Sequence, residues 1–70
     1  MDPPWIKYPD KAASSSAWRM GEGEDYYNAF YQWYSSLNTG AKDEYAIAHP
    51  EPRRWHGFYK TIIDHPWAVD

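Results

Sequence analysis

The sequence predicts an all-α fold: a small irregular helical hairpin of two main amphipathic helices plus a short linking helix, with an extended N-terminal arm packed across it. Three observations carry the prediction. Apolar residues recur at helical spacing over 24–38 and again over 52–64. Asn38, Gly40 and Pro66 supply stop signals after those two stretches. Prolines at 3, 4 and 9, and again at 50 and 52, mark segments that cannot continue a helix. Seventy residues make one domain at most, divided here into an arm over 1–23 and a helical body over 24–70.

In the arm, Pro3, Pro4 and Pro9 fix φ and restrain the residue before each, which favours extended backbone. Trp5, Ile6 and Tyr8 give it apolar anchors. Asp10 suits the cap of a short helix, KAASSSAWRM over 11–20, that stops at Gly21 in the position after the cap. The three serines weaken that helix.

The strongest element follows. Gly23 serves as its N-cap, and Glu24 and Asp25 place negative charge in the first turn, where the helix dipole favours it. Six aromatic residues, Tyr26, Tyr27, Phe30, Tyr31, Trp33 and Tyr34, fall within nine positions. At about 100° per residue, Tyr26, Phe30, Trp33 and Leu37 form one stripe. Tyr27, Tyr31 and Tyr34 form a second, rotated by roughly a quarter-turn. One stripe suffices to dock the helix. The second is either covered by the arm, through Trp5, Tyr8 or Trp18, or left to contact another molecule.

Residues 41–48, AKDEYAIA, are good helix formers apart from Asp43 and Ile47, with a short strand as the alternative. The last helix starts near Pro52, and Trp55, Phe58, Tyr59, Ile62 and Ile63 share a broad face. Gly57 sits on its polar side, and Trp67, beyond Pro66, is placed to fold back onto the core. The expected core is Trp5, Trp18, Phe30, Trp33, Leu37, Ile47, Trp55, Phe58 and Ile62.

Composition narrows the function. A chain of this length buries only about 60% of the surface its unfolded form exposes, and it has no cysteine for disulfides. Five Trp, seven Tyr and two Phe substitute for those staples, since each ring buries roughly 150–250 Å². A formal charge of −3 argues against a duplex-DNA binder. No apolar run reaches the roughly 20 residues of a membrane span, and the N-terminus lacks the basic and apolar regions of a secretory signal. The expected setting is therefore cytoplasmic.

No catalytic, cofactor or metal site is expected. His49, His56 and His65 are spaced so that no two share adjacent helical turns. His49-Pro50-Glu51 echoes the H-x-E of zinc deaminases, but the paired cysteines are missing. No G-x-S-x-G elbow exists. Glu22, Glu24 and Asp25 read as complements to the helix dipole.

What remains is binding. The sequence points to a non-catalytic protein–protein interaction module: a small inhibitor, adaptor or accessory subunit of a larger intracellular protein, or a homodimer. Compact accessory proteins of phages and mobile elements share this profile, an analogy of class only. The expected contacts are Tyr27, Tyr31 and Tyr34, with Arg53 and Arg54, a basic pair at a helix start where the dipole disfavours it. The alternative is a single-stranded nucleic-acid binder, with the same tyrosines as a stacking platform and Arg53, Arg54 and Lys60 on phosphates.

Overall fold

A computed structural model describes residues 1–67. The order is α1 (Pro4–Lys7), a 3-10 turn (Ser16–Arg19), α2 (Gly21–Ser36), α3 (Thr39–Ala48), a second 3-10 turn (Arg53–Trp55) and α4 (Phe58–Asp64). The all-α class holds, with no strand among the described residues.

The arm crosses the body, but it is not extended. Pro4 occupies the first helical position of α1, where a missing N–H costs nothing. The Pro3 carbonyl accepts from the Ile6 and Lys7 amides at 3.0 and 3.1 Å. Pro3 and Pro4 are themselves fully buried. Trp5 then lies against Trp55, Phe58 and Tyr59, with ring centroids 5.5 to 5.9 Å apart.

The helix expected over 11–20 shrinks to one 3-10 turn at Ser16–Arg19. The serines are the cause: the Ser15 hydroxyl accepts from the Ala17 amide at 3.1 Å and caps a turn midway through the expected helix. Gly21 follows this turn at φ +60°, the left-handed conformation that glycine adopts without strain. Gly23 is not an N-cap. It is buried inside α2, where a Cβ would stand 2.3 Å from the Ala17 carbonyl oxygen. Its missing side chain lets the 3-10 turn lie directly on α2.

The buried residues of α2 are Gly23, Phe30 and Tyr34, with Tyr27 half-buried beside them. They lie within roughly 60° on the helical wheel. The two expected stripes are thus halves of one broad arc, and burial is deepest at their seam. Tyr26, Trp33 and Leu37 flank it on one side and Tyr31 on the other, all half-buried.

Asn38 does not end α2. It caps the next helix, its side chain accepting from the Ala41 amide at 2.8 Å, and Gly40 falls inside α3. α3 buries no residue completely and touches the core through Tyr45 and Ala46. Ile47, expected in the core, is 81% exposed. Two residues turn a helix by roughly 200°, so a core-facing Tyr45 sends Ile47 to the opposite side.

The helix expected from Pro52 is broken in two. Gly57 adopts φ +88° and separates the 3-10 turn from α4. The Glu51 carboxylate accepts from the Gly57 and Tyr59 amides at 3.1 and 2.7 Å, and so caps α4 from outside it. The core comprises Trp18, Phe30, Tyr34, Trp55, Phe58, Tyr59 and Ile62. Trp5, Trp33 and Leu37 border it. Tyr34 and Tyr59 are the additions that the expected core lacked.

Candidate partner-binding face

Six of the seven tyrosine hydroxyls donate to acceptors in the chain, and most of the acceptors are backbone carbonyls of distant segments. Tyr26 reaches the Asp2 carbonyl at 2.6 Å, and Tyr45 the Met1 carbonyl at 2.6 Å. Tyr59 reaches the His49 carbonyl at 2.7 Å, and Tyr34 the Lys42 carbonyl at 3.2 Å. Tyr31 donates to the His65 carbonyl, and Tyr8 to the Glu22 carboxylate at 2.8 Å. The rings are thus ties between arm, helices and C-terminal segment. Burial is the first cause that raises the phenol pKa of Tyr34, Tyr45 and Tyr59 above the ordinary value, and neighbouring tyrosines and acids add to it. For Tyr8 the first cause is the bond to Glu22.

The seventh hydroxyl belongs to Tyr27. Among the described residues it has no hydrogen-bond partner, and it is not sealed from solvent. Its ring rests on Trp18 and Phe58, at 6.0 and 5.8 Å between centroids.

The three tyrosines expected to form one contact stripe therefore separate. Tyr34 is only 1% exposed, stacked on Tyr59 at 5.0 Å. It lies in the core and presents no surface to a partner. The arm is not what covers it: Phe30, Tyr45 and Tyr59 do. Tyr31 lies under the C-terminal segment, with Trp67 at 5.9 Å. Trp67 folds back onto Tyr31 and α2 rather than onto the core, staying 37% exposed while its amide donates to the Ser35 hydroxyl at 3.1 Å. Only Tyr27 keeps both an accessible ring edge and an unpaired hydroxyl.

Arg53 and Arg54 are exposed on the second 3-10 turn, ahead of α4 rather than inside a longer helix. Among the described residues the one ion pair is Lys60–Asp64, at 2.6 Å. Neither Glu22 nor Glu24 reaches the arginines. The turn forms one wall of a concavity of about 420 Å³ whose other residues are Trp5, Pro9, Asp10, Lys11, Ala12, Pro52 and Trp55. Two smaller hollows adjoin it. One, of about 290 Å³, is bordered by Ala12, Ala13, Ser14 and Arg54. The other, of about 220 Å³, includes Ala13, Tyr27, Arg54, Trp55 and His56. Arg54 borders all three. The structure thus brings Tyr27, Arg53 and Arg54 to one trench, and leaves Tyr31 and Tyr34 outside it.

Sequence reasoning missed the opposite wall. A signal existed: Pro9-Asp10-Lys11 and Pro52-Arg53-Arg54 are both a proline followed by two charged residues. Each makes a bend that a proline opens, with Asp10, Arg53 and Arg54 exposed, and both bends border the same concavity. The Lys11 amide donates to the Tyr8 carbonyl at 3.1 Å, and the Trp55 amide to the Pro52 carbonyl at 2.9 Å. The Lys11 ammonium lies 4.1 Å from the centre of the Tyr8 ring.

Elsewhere, among the described residues, no three histidine, aspartate or glutamate side chains converge as a metal site would require. His49 stacks on Tyr45 at 4.4 Å between centroids, and its buried Nδ1 has no partner. No helix among the described residues is long and apolar enough to cross a membrane. No family model, curated protein or solved structure matches the chain. The functional reading therefore rests on the trench.

Proposed function

We propose that this protein is a non-catalytic protein-binding module, a small inhibitor, adaptor or accessory subunit that docks a larger protein through the trench between residues 9–14 and 52–57. One observation carries the reading. Two exposed guanidiniums, without a carboxylate partner among the described residues, border a concavity framed by prolines, and Arg54 also borders an adjoining hollow with Tyr27, whose hydroxyl has no partner among the described residues. Arginine, tryptophan and tyrosine are the residue types enriched in interface hot spots, where a few side chains carry most of the binding energy. The nucleic-acid alternative has less support, because its stacking platform required Tyr31 and Tyr34 at the surface.

Differential capture tests the reading. Wild-type chain and the Arg54→Ala and Tyr27→Ala variants are immobilised, and affinity is measured for each protein retained from a lysate of the source organism. A partner docking in the trench loses about 2 kcal/mol or more on either truncation. Retention that is equal for all three chains would remove the trench from the interface. Sedimentation of the isolated chain at several concentrations separates docking onto another protein from pairing with a second copy.

A further inference from the structure

Resting on the binding-module reading, the geometry points to the occupant of the trench: an extended acidic peptide segment, its carboxylates on Arg53 and Arg54 and its apolar side chains against the half-buried Trp5 indole and the exposed Pro9 and Pro52. Shape argues for an extended chain over a compact ligand. Three open hollows share Arg54, the first with Trp5 and Pro9 and the third with Tyr27 and Thr61, a spread of surface that one extended segment can follow and a compact ligand cannot. In an extended peptide successive side chains point to opposite faces. Alternating acidic and apolar residues therefore set one row toward the indole floor and the other toward the rim.

Charge argues for acidity. The chain carries ten acidic and seven basic residues, yet the two exposed arginines, Arg53 and Arg54, border this one concavity against a single acid, Asp10, while the third bordering cation, Lys11, holds its ammonium over the Tyr8 and Trp18 rings. A guanidinium presents several donors in a planar fork that matches a carboxylate. Rigidity argues that the trench is ready before binding. Proline opens the bend in both walls, backbone hydrogen bonds close the bends, and Trp55 is buried beneath. A preformed site loses less conformational freedom on association.

Calorimetric titration of the full chain tests this with four probes. They are an acetylated, amidated octapeptide alternating glutamate and leucine, its glutamine and lysine counterparts, and an octamer of deoxythymidine. The glutamate peptide is expected to bind about tenfold or more tightly than the glutamine peptide, the scale of hydrogen bonds to a charged group. The lysine peptide should bind weakest. Arg54→Glu and Arg53→Glu, both at exposed positions and checked for folding by circular dichroism, should each abolish that preference. Equal binding of the glutamate and glutamine peptides overturns the inference, as does no binding of either, or a preference that survives both charge reversals. Tighter binding of the deoxythymidine octamer than of the glutamate peptide also overturns it. A chain that retains a protein partner in an Arg54-dependent way, yet ignores the glutamate peptide, loses this inference and keeps the binding-module reading.

Discussion

Two regions of this molecule carry side chains suited to recognition, and they use them in opposite ways. Along α2, tyrosine rings enter or flank the core while their hydroxyls tie down carbonyls from residues 2, 42 and 65. At the 3-10 turn over Arg53–Trp55, the tryptophan is buried and the two arginines beside it stay exposed and without an ion pair among the described residues. The difference has a physical origin. A phenol needs only one acceptor, and a small protein with a half-wet core offers many carbonyls near its surface. A guanidinium has five donors and is best matched by a carboxylate or a phosphate. Ring count is therefore a poor guide to a free surface, and an unmatched cation beside a concavity is a better one.

The largest expected effect tests that contrast directly. Tyr34→Ala removes a buried ring stacked on Tyr59 and near Phe30 and Tyr45. It should destabilise the fold by about 3–5 kcal/mol, as other large-to-small aromatic truncations in cores do. Arg54→Ala should change stability by no more than about 0.5 kcal/mol, while weakening partner binding. Denaturant unfolding of both variants reads the two numbers. Comparable losses would mean that the arginine turn is as structural as the tyrosine arc, and the contrast would dissolve.

Much of this was legible in the residues, and the exceptions share a cause. The all-α class, the long aromatic helix and the core roles of Phe30, Phe58 and Ile62 follow from helical periodicity, while Trp18 and Trp55 reach the core from 3-10 turns that no periodicity marks. Periodicity gives the width of an arc but not which part of it faces inward. Dividing the α2 arc into two stripes left Tyr34 outside the core, although it lies within roughly 40° of Phe30. The break at Gly57 was equally hidden, because a glycine on a polar face reads as a tolerated cost. Its left-handed φ depends on Glu51, six residues earlier, holding the amides of Gly57 and Tyr59. Neither wall of the trench is remarkable alone. Their meeting is a tertiary fact, set by where Trp5 docks on Trp55.

A smaller effect sharpens how the tyrosine arc is held. Gly23→Ala gains about 1 kcal/mol of helix propensity. It also drives a Cβ to 2.3 Å from the Ala17 carbonyl oxygen, a backbone atom that cannot swing aside. The clash should dominate, with a net loss of about 1–3 kcal/mol, the usual scale of overpacking. Fluorescence of Trp18, which follows Ala17 in the displaced 3-10 turn and contacts Tyr27 and Trp55, should shift with it. A variant with raised melting temperature and unshifted fluorescence would show that the turn does not rest on α2 as described.

The smallest loss among the tyrosine and glycine variants concerns a single hydroxyl, and its pH dependence separates a tied tyrosine from the exposed arginine turn. Tyr59→Phe leaves the ring in the core and removes the donor to the His49 carbonyl, at a cost of about 1 kcal/mol. Burial first, then Tyr45, Tyr34 and Glu51, raise the Tyr59 phenol above its ordinary value of 10.0. Above that value the unfolded chain releases a proton that the folded chain retains. Stability is therefore fully present below about pH 10 and declines as pH rises toward the folded pKa. Phenylalanine has no proton to release. The Tyr59→Phe variant, though the less stable protein at pH 7, should lose less stability than wild type between about pH 10 and pH 11.5, so the two curves converge. Arg54→Ala should instead run parallel to wild type, because it leaves the Tyr59 hydroxyl in place. Urea midpoints across this interval decide the matter. Parallel curves for wild type and Tyr59→Phe would show that the Tyr59 hydroxyl ionises as readily in the folded chain as in water, and that it does not tie the His49 carbonyl as its hydrogen bond implies.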